Sequence, residues 1–198
     1  VKLFYSPTSP YVRKVMACAI TRGLDGMIEK IPCNPHLSKP DLLAANPLSK
    51  VPCLVTNDGL ALFDSPVICE YLDSLGEALP LFPSHGAGRW RALKLQAMAD
   101  GILDAAVAGR GELGKPREDA RDATLARFKF VIAGTLDALE ADPPHRLIDI
   151  GSIAVACALG YLDFRYAADP WAPTRPKLAA WYEAFAQNPG LSETAPKE

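Results

Sequence analysis

The first part of the chain switches between two hydrophobic periods. Lys2 to Tyr5 is short, apolar and aromatic, the pattern of a strand, and Ser6-Pro7 stops it. Val12, Val15, Met16 and Ile20 then recur at helical spacing, which predicts a helix running from Ser9-Pro10 to Gly23. Ser9 stands as its N-cap and Pro10 at its first position, where a missing N–H costs nothing. Residues 27–31 read as a second strand, closed by Pro32 and Asn34-Pro35, so the opening is a βαβ unit with a right-handed crossover. Pro40 to Ala45 makes a short helix, stopped at Asn46-Pro47. Asn57-Asp58-Gly59 marks a hairpin turn between residues 53–56 and 61–63, which should pair antiparallel. Asp64-Ser65-Pro66 repeats the first device, with Ser65 as cap and Pro66 at the first helical position. Val67, Ile68, Tyr71, Leu72 and Leu75 form the apolar face of that helix, and Glu70 and Asp73 look outward.

Ala78-Leu79-Pro80-Leu81-Phe82-Pro83 reads as a linker, and beyond it the period is helical throughout. Residues 85–110 carry Trp90, Leu93, Leu95, Met98, Ile102 and Leu103 as apolar positions, with no proline to interrupt them. Asp100 and Asp104, four apart, read as a polar stripe. Residues 118–140 turn Leu125, Phe128, Val131, Ile132 and Leu136 inward. Asp142-Pro143-Pro144-His145 is a loop with His145 facing solvent. Asp149 then caps the most apolar helix, with Ser152 as the short return partner of a capping box. Tyr161, Phe164, Arg165 and Tyr166 close it. A last helix over residues 176–185 buries Trp181 and Phe185 and stops at Asn188-Pro189-Gly190.

Composition narrows the function classes. The chain has 198 residues, 49% hydrophobic and 22% charged, an ordinary globular balance with material for one large or two small domains. A formal net charge of -2 argues against a nucleic-acid surface. The longest uncharged apolar run, residues 150–162, is too short for a membrane span, and Lys2-Leu3-Phe4-Tyr5 enters a strand with no signal peptide, so a cytoplasmic protein is expected. Five scattered cysteines and three spread histidines supply neither a disulfide framework nor a metal motif. Cys18, Cys69 and Cys157 fall in helices as small hydrophobes; Cys33 and Cys53, near strand or loop ends, are kept in reserve as reactive thiols.

Three places could carry chemistry. Ser6, Thr8 and Ser9 lie at a helix start, where free N–H groups and the dipole favour an anion. A hydroxyl there can donate to a thiolate, carboxylate or phosphate, or Ser9 can simply cap. A cis Val51-Pro52 bond would turn Val51's N–H and C=O outward to take an extended peptide as an added strand. Asp64 and Ser65 could hold a zwitterionic amino acid, with Ser65 N–H and hydroxyl on the carboxylate and Asp64 on the ammonium. Plain capping is the simpler account.

The order β-α-β-α-β-β-α, with Val51-Pro52 before the third strand, resembles the thioredoxin-fold domain of glutathione transferases. Ser9-Pro10-Tyr11-Val12-Arg13, Asn46-Pro47-Leu48-Ser49-Lys50-Val51-Pro52 and Asp64-Ser65-Pro66-Val67-Ile68-Cys69-Glu70-Tyr71-Leu72 carry the likeness, and the helical second half extends it over the whole chain. It is similar to bacterial, serine-type members of theta, phi or zeta kind. The resemblance implies α/β plus all-α architecture: a thioredoxin-like domain over residues 1–76, a linker at 77–83 and an all-helical domain over 84–198 that supplies the electrophile pocket and dimer contacts. It implies that Ser9, four residues before Arg13, contacts the glutathione sulfur, with Ser6 and Thr8 as rival hydroxyls. Val51, with a cis Pro52, would pair with the cysteinyl unit; Asp64 and Ser65 would hold the γ-glutamyl end; Lys50 would reach a glutathione carboxylate. Tyr11 and residues 106–110 and 164–166 would line the electrophile pocket, with Arg110 and Glu112 at its rim, and Asp100 would reach the partner's glutathione.

The implied function is a detoxifying transferase that conjugates glutathione, as co-substrate and with no metal, to a small hydrophobic electrophile in a cytoplasmic homodimer. Two alternatives share the fold. One is a glutathione-dependent isomerase or dehalogenase. The other is a non-catalytic interaction protein like the starvation regulators, against which the intact Ser9, Val51-Pro52 and Asp64-Ser65 set argues.

Overall fold

The structure is a computed structural model describing residues 1–37 and 39–197, and it divides into two units. The first contains Val1–Ser84 and the described residues from Asn188 onward; the second is His85–Gln187. Both are built as the periodicity predicts, with a few informative departures.

The first unit runs β1 (Lys2–Tyr5), α1 (Pro10–Thr21), β2 (Glu29–Pro32), α2 (Pro40–Ala45), β3 (Cys53–Val55), β4 (Ala61–Leu62) and α3 (Ser65–Asp73), the expected β-α-β-α-β-β-α order. Its sheet is ordered β2-β1-β3-β4. β1 and β2 are parallel, with Leu3 opposite Lys30, while β1–β3 and β3–β4 are antiparallel, with Leu3 opposite Leu54 and Leu54 opposite Leu62. Pro10 opens α1, and Val12 from that helix packs with Leu42, Cys33, Val51 and Cys53 in one buried cluster. That cluster matters for function, because it ties the start of α1 to the loop before β3. The second strand begins two residues later than expected, after a single 3-10 turn at Asp25–Met27.

The second unit comprises α4 (Gly86–Leu113), α5 (Asp119–Ala141), α6 (Ile150–Arg165) and α7 (Pro176–Phe185). Residues 150–162 of α6 are all buried, as their composition demands. α6 presses closely on α4: a Cβ on Gly151 would fall 2.6 Å from the Ala92 carbonyl oxygen and 2.8 Å from Leu95 Cβ. Only glycine permits that approach. The expected capping box is present. Ser152 N–H donates to Asp149 Oδ1 at 2.7 Å, and Asp149 N–H donates to Ser152 Oγ at 2.9 Å. His145 keeps 38% of its side chain exposed, as expected, and its Nε2 also lies 3.2 Å from Asp149 Oδ2, so the cap carboxylate serves the helix with one oxygen and meets the imidazole with the other. Trp181 and Phe185 are inward and stacked at 4.8 Å.

Trp90 departs from expectation, with 69% of its surface exposed. The buried stripe of α4 runs through Ala92, Leu95, Ala99, Ile102 and Ala106. Two residues before Ala92 is about 200° around a helix, so Trp90 is on the opposite side. Phase overrides hydrophobicity there.

The end of the chain also departs from the two-domain division by sequence. α8 (Pro189–Ser192) belongs to the first unit, where it packs on α1. Gly190 makes the approach possible: a Cβ there would sit 2.6 Å from the Ala17 carbonyl oxygen. Arg13 Nη2 donates to the Leu191 carbonyl at 3.2 Å, buried.

Candidate functional site

At the start of α1, Ser9 is the N-cap, and its Oγ accepts the Val12 N–H at 3.3 Å. The Ser9 carbonyl accepts the Arg13 N–H at 3.0 Å. Capping uses only a lone pair of the hydroxyl, so its hydrogen remains available to a ligand. Capping and ligand binding are therefore compatible at Ser9. Ser6, whose carbonyl accepts the Ser9 N–H at 3.1 Å, is half-buried, and Thr8 is exposed. Tyr11, the second residue of α1, is half-buried.

The loop before β3 is held by a residue that sequence reasoning treated only as a helix stop. Asn46 is 1% exposed; its Nδ2 donates to the Lys50 carbonyl at 2.9 Å and its Oδ1 accepts the Leu48 N–H at 3.0 Å. One side chain thus closes the turn from both ends, and the Asn two residues before Leu48 was the available signal for such an Asx turn. Ser49 takes a left-handed conformation (φ 51°) within it. Val51–Pro52 follows as a cis peptide. The ladder between β1 and β3 stops at Phe4–Cys53, so Val51 keeps its own N–H and C=O outside the sheet. Lys50 is exposed.

At α3 the expected cap is corrected. Asp64, not Ser65, occupies the N-cap position, and its side chain makes no capping bond. Ser65 is the first helical residue and Pro66 the second. Ser65 is 1% exposed, yet its Oγ has no hydrogen-bond partner among the described residues. A buried hydroxyl without a partner costs roughly 1–3 kcal/mol, which a polar ligand would recover. Plain capping therefore does not account for Asp64-Ser65.

In the second unit the two stretches read as pocket lining come together. Tyr166 Oη donates to the Ala106 carbonyl at 2.6 Å, joining the end of α6 to α4 near exposed Arg110. Burial pushes the Tyr161 and Tyr166 phenols up, against the lowering pull of the Arg110 charge. Asp100 is half-buried on α4.

Burial of all five thiols argues against Cys33 or Cys53 as a reactive thiol. Burial pushes Cys53 up to about 11. At pH 7.5 that leaves about one thiolate in three thousand. Folded protein mixed with Ellman's reagent at pH 7.5 should release no fast stoichiometric burst, whereas denatured protein should release five equivalents. A fast native equivalent lost in Cys53→Ala would contradict this. Among the described residues no group of three or more His, Cys, Asp or Glu side chains is placed to hold a metal ion, and no helix is long and apolar enough to cross a membrane.

The fold agrees with comparisons to known proteins. Residues 8–75 match the family model for the glutathione S-transferase N-terminal domain. The uncharacterized GST-like protein YibF of Escherichia coli K12 is 34% identical over 202 residues, covering 99% of this chain and 98% of that one. This chain belongs to the glutathione transferase family. A family member from Pseudomonas fluorescens Pf-5, solved with bound glutathione, superposes with a TM-score of 0.93 at 39% identity over 100% of this chain and 99% of that one. A second structure from the same organism, with bound S-(propanoic acid)-glutathione, gives 0.88 at 40% identity over 100% of both chains. Ser9, Val51 and Ser65, the residues the resemblance implies for glutathione, each leave a donor or backbone edge uncommitted among the described residues.

Proposed function

We propose that the protein binds glutathione in its first unit and transfers the thiolate to a small hydrophobic electrophile. Ser9 donates to the sulfur, Val51 pairs with the cysteinyl unit beside cis Pro52, Asp64 and Ser65 take the γ-glutamyl end, and Lys50 reaches a carboxylate. Ser6 and Thr8 are the rival donors to the sulfur. The observation that carries the reading is the unpartnered Ser65 hydroxyl, buried at the first turn of α3. The Pseudomonas structure with a glutathione whose sulfur carries propanoic acid favours conjugation over isomerisation or dehalogenation. A detoxifying role, a cytoplasmic location and a homodimer in which Asp100 reaches the partner's glutathione belong to the same reading. So does an electrophile site in the helical unit with Arg110 in its lining.

Calorimetry with glutathione tests it. Wild type should bind, and Ser65→Ala should bind about ten-fold or more weakly, from loss of one hydrogen bond to a charged group. The unliganded variant should be as stable as wild type or slightly more so, because an unsatisfied buried hydroxyl has been removed. Undetectable glutathione binding by wild type at millimolar concentration would sink the enzyme reading in favour of an interaction protein.

A further inference from the structure

One face of α1 carries Ser9, Arg13, Ala17 and Thr21 at four-residue spacing. The far part of that row lies under α8. A Cβ on Gly190 would fall 2.6 Å from the Ala17 carbonyl oxygen and 2.7 Å from Thr21 Oγ1, and Arg13 Nη2 donates to the Leu191 carbonyl at 3.2 Å. Arg13 is thereby only 8% exposed, one turn (about 6 Å along the axis) inside the helix start that Ser9 caps. Its backbone N–H donates to the Ser9 carbonyl at 3.0 Å.

Burial leaves this guanidinium poorly served. Nε and Nη1 are buried without a hydrogen-bond partner, and no carboxylate among the described residues pairs with the group. The first turn of α1 holds no acid. The acids on the elements around α1 are placed otherwise. Asp73 on α3 pairs with Arg22, Glu70 on α3 is engaged elsewhere, Glu193 at the end of α8 is exposed, and Asp25 follows the far end of α1. Lys14, fully buried beside Arg13, is engaged as well. A guanidinium carries its charge at every working pH, and a buried charge without a counter-ion lowers stability. Sequences keep such a fault where function uses it. Here the positive end of the α1 dipole and the unpaired charge have the same sign and belong to the same turn of helix, so an anion at Ser9 is favoured by both.

We propose that Arg13 supplies the fixed positive charge that keeps a glutathione thiol ionised at Ser9, without touching glutathione itself. This rests on the reading that Ser9 faces the sulfur. Arg13 is then a positioning residue that acts through the start of α1: the thiol proton leaves to solvent, and the thiolate becomes the counter-charge that the guanidinium lacks. α8 has a part in this, because it keeps water away from the guanidinium, and water would screen the charge.

Thiolate absorbance of bound glutathione across pH, on the full chain, decides the matter in wild type, Arg13→Gln and Arg13→Lys. Gln drops the charge but keeps an N–H for the Leu191 carbonyl; Lys keeps the charge. The thiol pKa should rise by about one unit in Arg13→Gln and stay within about 0.3 units of wild type in Arg13→Lys. Turnover near pH 6.5 should fall about five-fold in Arg13→Gln, with the deficit gone above about pH 9. Arg13→Gln should melt at or above the wild-type temperature, because it removes an uncompensated buried charge. S-methylglutathione has no thiol to ionise, and calorimetry should give it the same affinity for all three proteins. A thiol pKa that stays low in Arg13→Gln would overturn the proposal and leave the activation to Ser9 and the helix. An equal rise in Arg13→Gln and Arg13→Lys would overturn it too, as the mark of a packing residue. So would weaker binding of S-methylglutathione in Arg13→Gln, since the charge would then serve the whole ligand. Failure of wild type to bind either compound would overturn the glutathione reading itself and this proposal with it.

Discussion

Asp73→Ala is expected to destabilise the protein by about 3–5 kcal/mol, the usual cost of stranding one member of a buried ion pair. Arg22, at the C-cap of α1, and Asp73, at the last turn of α3, have side chains only 2% and 7% exposed, with Nε and Oδ1 3.3 Å apart. Arg22 Nη2 also donates to the carbonyls of Asp73 at 3.1 Å and Leu75 at 2.7 Å, and Nη1 donates to that of Ala78. Asp73 in turn accepts the N–H groups of Leu81 at 2.7 Å and Phe82 at 3.0 Å. One pair therefore fastens two helices and the segment that follows them. Removing the carboxylate leaves a buried guanidinium without its counter-charge and two backbone donors without acceptors. Thermal unfolding should show a drop of about 10 °C for a chain of this size. The double variant Arg22→Met/Asp73→Leu should recover part of the loss, because it removes both charges together. A melting temperature within 2 °C of wild type in Asp73→Ala would show that the pair contributes no more than an exposed one.

Asp73 also shows where sequence reasoning reaches its limit. The β-α-β-α-β-β-α order was legible because each boundary has its own local chemistry. Ser-Pro pairs open α1 and α3, Asn46-Pro47 closes α2, and Asn57-Asp58-Gly59 turns β3 into β4. The Asp149–Ser152 capping box was legible for the same reason, since both partners lie three residues apart. Orientation at the end of a helix is different. Whether Asp73 faces outward depends on where Leu81 and Phe82 travel afterwards, and no period encodes that. Gly190 against Ala17 is likewise a contact between distant parts of the chain. At the candidate site the residue types were readable and their commitments were not. Ser65 looks like a cap in sequence, and only its position one residue inside the helix leaves the hydroxyl unpartnered. Asn46 was visible as a helix stop but not as the clasp of the Val51 loop, because its two bonds run to backbone groups that any residue would carry.

Ser9→Ala is expected to cut turnover up to about 50-fold near pH 6.5 while glutathione still binds. A free thiol ionises near pH 8.5, so only a few per cent is thiolate at neutral pH. A hydroxyl donor at a helix N-terminus that lowers the value by about two units supplies roughly 2.7 kcal/mol of thiolate stabilisation. On the proposed reading Ser9 is that donor: its Oγ accepts the Val12 N–H, which leaves its own hydrogen for the sulfur. The bound thiol is the group whose pKa is lowered, so wild-type activity should be present above that lowered value and fall as pH drops through it. In Ser9→Ala the whole profile should move to higher pH, and the deficit should shrink as both proteins approach full ionisation above about pH 9. Loss of the cap will cost about 1 kcal/mol of stability as well, and that effect has to be separated from the chemistry. Ser9→Asp does so: it restores a good cap, but places a carboxylate where the thiolate must form. It should therefore be as stable as wild type and less active than Ser9→Ala. Absorbance of the bound thiolate across pH supplies the direct readout. If the pKa of bound glutathione stays low in Ser9→Ala but rises in Ser6→Ala or Thr8→Ala, the donor is the neighbouring hydroxyl and Ser9 is a cap alone.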